Sequence, residues 1–423
     1  GTCPNGRRVG GAAAAPRVTL PADTDVLVVG GGPAGLATAE AAAAAGVRAL
    51  VVEREPEIGE PVHTSGGMSV AAVRAFGIPP DLHHPVEEIR IVSPGESVSF
   101  RYPEPIVSLL DVRGTYRFLA ERAARAGARV VTAADARTPL REGGRLAGWT
   151  VEAGGRSHDV HAPVVVDASG YRAAVAKAAG LHAGFRRFGV GAELELAAPA
   201  LDETAGVLVV GSRYAPAGYA WAFPCGRGRV RVGVGVHHAD VRSDPRRHLD
   251  LLVRDAASLG FDLEGATVEE EHFGLIPTDG PLAALAGDGI MAVGDAAGQA
   301  TLVLGEGIRL GLLAGGLAGT VAAHAVEAGR RDRDALLPYE RAFRRRHGRD
   351  LRIGGILNRR LARADDAAWD RHVRILQTLP PRLLPSLLQS EFPLSGLVRW
   401  VATRPSLWYL VGRYWLAPRL RPA

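Results

Sequence analysis

The sequence predicts a mixed α/β protein, in which a nucleotide-binding domain built on a parallel sheet is interleaved with a mostly antiparallel sheet and followed by helices. Three observations predict this fold. A glycine-rich turn follows a short apolar run at residues 26–29 and precedes an alanine-rich helix. Two later apolar runs, within residues 164–170 and 289–298, each lead to an aspartate at the carboxyl end of a strand. The stretch between them alternates valine with other residues, as antiparallel strands do.

Length and composition limit the possible functions. A chain of 423 residues is too long for one ordinary core, so we expect two or three domains. With 47% hydrophobic residues, a net charge of only +5 and no nucleic-acid motif, it is predicted to fold and to have no nucleic-acid partner. Cys3 and Cys225 form neither a disulfide framework nor a metal-binding spacing, so we expect a cytoplasmic protein without a metal. Residues 1–23 are predicted to be a disordered leader, and no uninterrupted apolar run is long enough to cross a bilayer.

The segment from residue 25 to residue 54 has the order strand, glycine motif, helix, strand and acid. The G-x-G-x-x-G motif lets backbone N–H groups approach a pyrophosphate, and the N-terminus of the following helix adds its positive end. Glu53 closes the second strand, where a carboxylate binds ribose hydroxyls. This order predicts a dinucleotide site. The residues assigned to it are Gly30, Gly32, Ala34, Gly35, Glu53 and Arg54.

Two later strand ends predict that the dinucleotide is FAD. An acid at the end of a strand, just before a helix, can bind the ribityl hydroxyls of a flavin. The helix that begins near residues 305–308 points its N-terminus towards the anionic edge of the flavin. A nicotinamide enzyme does not need this late element. The residues assigned to the flavin are Asp167, Gly294, Asp295, Gly305, Gly307 and Ile308.

With these elements, the sequence resembles the FAD-dependent geranylgeranyl reductase family, which shares the p-hydroxybenzoate hydroxylase fold. The resemblance spans residues 25 to 320 and rests on the glycine motif ending in VVER, on EIGEPVHTSGG, on PAGYAWAFP and on GDAAGQATLVLGEGI. The Y-x-W-x-F-P mark of the family is present as Tyr219, Trp221, Phe223 and Pro224. The resemblance implies a Rossmann-like FAD-binding domain and an enzyme that reduces carbon–carbon double bonds of prenyl chains.

The aromatic strand is the predicted wall of the substrate pocket. Alternate side chains of a strand share a face, so Tyr219, Trp221 and Phe223 are predicted to point one way and the alanines between them the other way. Pro224 is predicted to end the strand, and VRVGVGV to return as its hairpin partner. The residues alone leave two interpretations open, a sandwich core or a pocket wall. The resemblance favours a wall beside the isoalloxazine, which suits an apolar, elongated substrate.

An isolated alkene accepts a hydride poorly, so we expect a placed acid in the site. Relatives often carry V-R-C-G in the loop after the second strand, whereas Thr64 stands at the cysteine position here, which argues against a cysteine-dependent step. His63 is either an acid or anion-binding group or a solvated loop histidine. Leu302 replaces a proline that packs on the flavin in relatives. The predicted catalytic residues are His63, Thr64, Tyr219 and Trp221, and the predicted substrate contacts are Tyr219, Trp221, Phe223 and Leu302.

Several interpretations remain open at this stage. An FAD-dependent aromatic or polyketide monooxygenase of the same fold is the alternative function, although Gly298 stands where such enzymes commonly have histidine. A halogenase needs a lysine well before the aromatic strand. The only lysine, Lys177, lies just after the strand that ends at Asp167, which argues against this function. A flavoprotein without catalytic activity is a third possibility. Arg113 lies either at the cofactor pyrophosphate, as the resemblance implies, or in a surface ion pair. With one glycine motif in the sequence, electrons are expected from transiently bound NAD(P)H or another reductant.

The order of the motifs predicts interleaved domains. The last segment, residues 397–422, alternates tryptophan and tyrosine with arginine, a pattern favoured at bilayer interfaces. It predicts either peripheral membrane contact or aromatic side chains packed on the body as a lid. The predicted division is a leader at 1–23, an FAD-binding domain at 24–80, 106–175 and 272–330, a substrate domain at 81–105 and 176–271, and a C-terminal helical region at 331–423.

Overall fold

The computed structural model describes residues 19–408, except residues 239 and 406. Residues 1–18 of the predicted leader therefore lie outside the described residues. Residues 19–23 of that leader are ordered against the body, because Leu20 packs on a core cluster and the Ala22 carbonyl accepts a hydrogen bond from the His161 amide at 2.9 Å. The prediction of disorder is therefore wrong for these five residues.

Strands and α-helices are mixed up to the last strand, and helices alone form the part that follows it. The strands are β1 Val26–Val29, β2 Ala49–Val52, β3 Gly67–Ser69, β4 His83–Val86, β5 Glu88–Val92, β6 Ser97–Arg101, β7 Val107–Leu110, β8 Arg129–Val131, β9 Ala134–Glu142, β10 Arg145–Ala153, β11 Arg156–His161, β12 Val164–Asp167, β13 Phe188–Ala197, β14 Ala205–Val209, β15 Gly218–Gly226, β16 Arg229–His237, β17 Thr267–Pro277, β18 Ala286–Gly287 and β19 Ile290–Ala292. The helices are α1 Pro33–Ala44, α2 Val70–Ala75, α3 Val112–Arg125, α4 Ala174–Ala179, α5 Pro245–Arg254, α6 Ile308–Glu327, α7 Arg333–Leu361, α8 Asp366–Leu376, α9 Leu384–Leu388 and α10 Leu394–Ala402.

A six-stranded sheet with the order β18-β19-β12-β1-β2-β8 carries the glycine motif at its centre. Strands β1, β2, β8, β12 and β19 run parallel, which confirms the α/β fold predicted from their apolar runs. Val26 and Val28 face the helices, whereas Leu27 and Val29 face Trp149 in the sheet β11-β10-β9. Because both faces are covered, these strands are uniformly apolar instead of alternating.

Helix α6 packs closely on α1 through its glycines. A Cβ added at Gly315 or Gly319 would lie closer than 3.0 Å to the carbonyl oxygens of Ala34 and Thr38, so only glycine permits this approach. Among the described residues, α6 is the helix whose length and hydropathy would suffice to span a bilayer. Its packing on α1 within the largest core cluster is that of a core helix.

A seven-stranded sheet with the order β17-β13-β16-β15-β14-β5-β6 faces the six-stranded sheet across the cleft described below. It is antiparallel apart from the β5–β14 pair, as predicted. Strand β15 does not end at Pro224, because its pairing with β16 continues to Gly226 after a register shift. Strand β17 crosses the predicted domain boundary at residue 271, and the division into domains stays a prediction.

The two faces of β15 belong to different clusters. Ala220 and Ala222 pack in the core covered by α5, whereas Tyr219, Trp221 and Phe223 belong to the cluster formed with the C-terminal helices. The predicted alternation is therefore confirmed. The C-terminal residues of this second cluster are Trp369, Val373, Leu376, Leu379, Leu383, Leu384, Leu387, Leu388, Leu397 and Trp400.

Candidate active site

A single cleft of about 910 Å³ runs between the carboxyl ends of the parallel strands and the seven-stranded sheet. One end is lined by the glycine motif and Glu53, and the other end by Tyr219 and Trp221. Most of the predicted site residues line this cleft. They are Gly30, Gly32, Ala34, Glu53, Arg54, His63, Thr64, Tyr219, Trp221, Gly294, Asp295, Leu302, Gly305, Gly307 and Ile308.

The glycine motif forms a cradle that requires glycine at two of its positions, Gly30 and Gly35. Gly30 has φ +115°, and a Cβ there would lie closer than 3.0 Å to the Ala168 carbonyl. A Cβ at Gly35 would collide with the carbonyl oxygen of Gly30, so this residue permits the close packing of α1 on β1. Gly32 has no neighbour within 4 Å of a Cβ position, and no side chain caps the N-terminus of α1 there. The N-terminus of α1 is therefore open to a pyrophosphate, whereas Gly30 N and Gly31 N are bonded to Val52 and Glu53.

Glu53 is fixed by the backbone on both of its oxygens. Its Oε2 accepts a hydrogen bond from Gly31 N at 2.6 Å, and its Oε1 accepts one from Glu55 N at 2.9 Å. A carboxylate has further lone pairs, which can accept hydrogen bonds from ribose hydroxyls. Arg54 lines the same end of the cleft and forms an ion pair with Glu55 at 3.0 Å.

Asp295 lies deep in the cleft, on the turn between β19 and α6. Burial raises the pKa of its carboxyl from 3.8 to about 6. Gly307 is the N-cap residue of α6, and no side chain caps this helix, so the N-terminus faces the cleft beside Asp295. An acid that accepts hydrogen bonds from hydroxyls and a free helix N-terminus together fit the ribityl chain and the anionic edge of a flavin.

The raised pKa of Asp295 leads to a testable prediction for the protein without FAD. Because the folded-state pKa of Asp295 is raised, its stabilising contribution is complete below pH 3.8 and is lost as the pH rises through about 6. Asp295→Asn is therefore expected to raise the free energy of unfolding by about 2–3 kcal/mol at pH 8 relative to the parent chain, and by almost nothing at pH 4. Urea denaturation at both pH values measures this. An equal effect of the substitution at both pH values would contradict the assignment.

Four predicted residues do not line the cleft. Asp167 is fully buried, and its carboxylate accepts hydrogen bonds from Ser169 N at 2.9 Å and Ala176 N at 2.6 Å, so it caps the turn before α4 instead of facing a ligand. Gly35 supports the cradle from behind. Phe223 follows Trp221 by two residues on β15 and stacks on it, with a distance of 6.2 Å between the ring centroids. Arg113, the fourth, is described next.

Arg113 lies between the loop after β2 and the edge strand β17. It forms ion pairs with Glu60 and, at 2.6 Å, with Glu270. Both carboxylates are occupied by the guanidinium group, and Arg113 does not reach the cleft. Arg113 therefore lies in ion pairs, as the second alternative expects. Its side chain is only 28% exposed, so these pairs are partly buried.

Tyr219 and Trp221 form the apolar wall. The Tyr219 hydroxyl donates to the Leu304 carbonyl at 2.5 Å, and Trp221 Nε1 donates to Glu193 at 2.7 Å, so both polar tips are satisfied and the rings face the cleft. The indole lies directly on β16, where a Cβ at Gly233 would come closer than 3.0 Å to it. Gly191 and Gly235 border the same ring. The indole of the wall thus packs directly on glycines of the neighbouring strands.

His63 and Thr64 lie on the loop at the mouth of the cleft. His63 Nδ1 donates to the Phe273 carbonyl at 2.7 Å, and its side chain is exposed. The Thr64 hydroxyl accepts a weak hydrogen bond from Gly66 N at 3.4 Å. His63 therefore fastens the loop to β17, and the surroundings of both residues fit a loop contact better than a buried acid.

Glu193 and His272 are among the cleft residues that the sequence analysis did not identify. They are opposite each other on β13 and β17, only 5% and 4% exposed, and their side chains meet at 3.0 Å. The signal that could have found them is a charged residue at an inward position of an alternating strand, since such a residue needs a buried partner.

Comparisons with known proteins agree with this geometry. A sequence model of FAD dependent oxidoreductases matches residues 25–199, and one of the geranylgeranyl reductase catalytic domain matches residues 190–263. Digeranylgeranylglycerophospholipid reductase 2 of Methanothermobacter thermautotrophicus is 34% identical over 77% of this chain and 85% of its own length. The chain belongs to the FAD-dependent geranylgeranyl reductase family. This member is accordingly an FAD-dependent oxidoreductase, and the cradle, Glu53 and Asp295 fit that cofactor.

Solved structures extend the likeness to the whole fold of this geranylgeranyl reductase family member. A geranylgeranyl bacteriochlorophyll reductase-like protein from Thermoplasma acidophilum is 25% identical, with a TM-score of 0.81, over 91% of this chain and 97% of that one. The flavin-dependent brominase Bmp2 has a TM-score of 0.70 at 17% identity, over 92% of this chain and 99% of that one, and shows the fold alone.

Proposed function

We propose that this protein reduces carbon–carbon double bonds in the prenyl chain of a polar lipid. The observation that carries the proposal is that the dinucleotide cradle and the wall of Tyr219 and Trp221 line one continuous cleft. An aromatic wall without free polar groups suits an apolar chain. The relatives named digeranylgeranylglycerophospholipid reductases support a substrate of this class.

The residues of the chain divide the work along the cleft. When bound and reduced, FAD supplies a hydride. The N-terminus of α1 would hold its pyrophosphate, and Asp295 would accept hydrogen bonds from its hydroxyls. Tyr219, Trp221 and Leu302 exclude water from the other end and align the prenyl chain, so that one alkene lies at the reacting position. A group of the protein must then deliver the proton.

An anaerobic assay tests this proposal. The FAD-loaded protein, reduced with dithionite, is mixed with geranylgeranyl diphosphate or digeranylgeranylglycerophospholipid, and the products are identified by mass spectrometry. Each reduced double bond is expected to add two hydrogens to the product, with return of the oxidised-flavin absorbance. Oxygen-dependent hydroxylation of an aromatic compound, with no prenyl reduction, would favour the monooxygenase alternative instead.

We also propose that the electrons come from a transiently bound donor, NAD(P)H or another reductant. The sequence has one G-x-G-x-x-G motif, and that motif forms the cradle assigned to FAD. No second motif is therefore left in the sequence to bind a nicotinamide nucleotide. Stopped-flow reduction of the bound flavin by NADH and by NADPH, with dithionite as the reference, tests the donor. If neither nucleotide reduces the flavin, the donor is another reductant.

The C-terminal helices support a further proposal, peripheral contact with the membrane that supplies the lipid. Leu394, Val398 and Trp408 are 47%, 65% and 57% exposed, and Arg399 and Arg404 accompany them. Trp400 instead packs in the cluster of the aromatic wall, as the lid alternative expects. Tyr409, Tyr414 and Trp415 lie outside the described residues. Co-sedimentation with anionic vesicles tests the contact, and equal sedimentation of the parent chain and Val398→Asp would reject it.

A further inference from the structure

A chain of polar contacts connects the aromatic wall with the surface of the protein. Trp221 Nε1 donates to Glu193 Oε2 at 2.7 Å, and Glu193 Oε1 accepts from His272 Nδ1 at 3.0 Å. The other ring nitrogen, Nε2, donates to Glu270 Oε2 at 3.1 Å. The same Glu270 oxygen accepts from Arg113 at 2.6 Å. His272 therefore bridges two carboxylates, one on each side of its ring.

Two members of this chain are buried and the third is exposed. The side chains of Glu193 and His272 are 5% and 4% exposed, and both line the cleft, whereas Glu270 is 40% exposed. Water thus reaches Glu270 directly. We call Glu193, His272 and Glu270 the carboxylate–histidine relay.

The charges around His272 favour its protonated form. Burial disfavours the imidazolium, but the hydrogen bonds to Glu193 and Glu270 outweigh it, and the pKa of His272 is raised above 6.5. The charged groups that face the ring are Glu193 from β13, Glu270 from its own strand β17 and Arg231 from β16, which opposes the charge. Arg113 from α3 holds Glu270 ionised and lowers the pKa of that carboxyl.

Other groups of the cleft are poorer proton donors. The Tyr219 hydroxyl is directed at the Leu304 carbonyl, and burial raises its pKa. Tyr116 also lines the cleft, and burial raises its pKa too. The His63 ring is exposed at the mouth, and its Nδ1–H is held by a backbone carbonyl. Only His272 among these combines a bound proton, a place in the cleft wall and a connection to water.

We propose that the relay supplies the proton for alkene reduction: Glu193, in the cleft wall, passes on the proton that it takes from His272 Nδ1, and Glu270 returns a proton to His272 from water. This rests on the proposed function. The hydride that reduced FAD would supply would add to one alkene carbon and the proton from Glu193 to the other, so the π bond is replaced by two C–H bonds. Neutral His272 then regains a proton through Glu270. Arg113 is a positioning residue that acts through Glu270.

Single-turnover kinetics test the donor. The FAD-loaded enzyme is reduced anaerobically with dithionite and mixed with geranylgeranyl diphosphate, and the return of oxidised-flavin absorbance is followed. His272→Gln retains hydrogen-bonding groups but cannot carry the proton, so the rate is expected to fall by about 10²–10⁴-fold. FAD content and the rate of reduction by dithionite are expected to stay unchanged. A rate within about threefold of the parent enzyme would overturn the proposal.

A matched control separates this effect from the loss of any histidine–glutamate pair. His161 forms such a pair with Glu142 at 3.3 Å, and neither residue lines the cleft. His161→Gln is expected to leave the single-turnover rate as in the parent enzyme. An equal loss of rate in both variants would show that the His272 effect is structural, and would overturn the proposal.

Glu270→Gln provides a test at the exposed end of the relay, should the His272 variant not fold. It removes one of the two carboxylates that raise the pKa of His272, so the falling limb of the pH–rate profile is expected to move to lower pH. An unchanged profile would overturn the proposal.

The protonation state of His272 gives a readout that does not depend on turnover. In ¹³C spectra of histidine-labelled holoenzyme, the resonance lost in His272→Gln is expected at the imidazolium position at pH 7. It is expected to move towards the neutral position in Glu193→Gln. A neutral ring at pH 7 in the parent enzyme would overturn the relay. If the parent enzyme itself reduces no prenyl alkene while the ring is protonated, the proposed function fails instead.

Discussion

Gly35→Ala is expected to abolish FAD binding and to lower the free energy of unfolding by about 3 kcal/mol or more. The added Cβ would lie closer than 3.0 Å to the carbonyl oxygen of Gly30, and backbone on both sides leaves no flexible side chain to give way. To relieve the clash, α1 must move away from β1, which opens the turn that binds the pyrophosphate. Urea denaturation and the flavin absorbance per protein measure the two effects.

Gly316→Ala is the matched control, because it makes the same change in a helix of the same core. A Cβ at Gly316 meets nothing within 4 Å. Alanine favours a helix over glycine, so this variant is expected to keep its FAD and to gain up to about 1 kcal/mol. A Gly35→Ala protein that is yellow and as stable as the parent would show that the close approach of helix and strand is not required.

Gly233→Ala is expected to slow prenyl reduction by about 10²-fold while the protein keeps its FAD. Its Cβ would lie closer than 3.0 Å to the six-membered ring of Trp221, so the indole must leave its place on β16. That movement also breaks the hydrogen bond from Trp221 to Glu193. The residues that hold the cofactor belong to the other sheet and are not touched. The anaerobic prenyl assay and the flavin content measure the two outcomes.

Gly206→Ala is the control for this variant, since Gly206 lies in β14 of the same sheet. A Cβ there would have ordinary contacts of 3.6–3.8 Å with Ile89, Phe223 and Val86. We expect parent-like activity from it. If Gly233→Ala were equally active, the indole would not be the wall that aligns the substrate.

The nucleotide-binding half of the cleft could be predicted because its determinants are local. The glycines, the apolar strand before them and the acid at residue 53 follow one another within 30 residues of sequence, and each is explained by a contact with a neighbouring element. Asp167 and Asp295 show what the strand pattern does not predict. Both end buried strands, but the Asp167 carboxylate is taken up by the backbone of the following turn, whereas the Asp295 carboxyl faces the cleft. The direction of each side chain depends on the turn that follows it, which the strand pattern does not encode.

The acid of the site could not be predicted for another reason. Glu193 and His272 are 79 positions apart and meet only because β17 joins the sheet as an edge strand next to β13. Read separately, each is one charged residue in a strand. Phe223 likewise has the face that the alternation predicts, yet it does not line the cleft. The pairing of strands and the extent of the cleft are properties of the assembled sheet.

The hydrogen bond from Tyr219 to the Leu304 carbonyl has a mechanical consequence. It connects the aromatic strand to the loop that leads into α6. If that loop shifts when a ligand enters, either Tyr219 must move with it or this hydrogen bond must break. This hydrogen bond therefore links the aromatic wall with the turn that precedes the flavin-facing helix N-terminus.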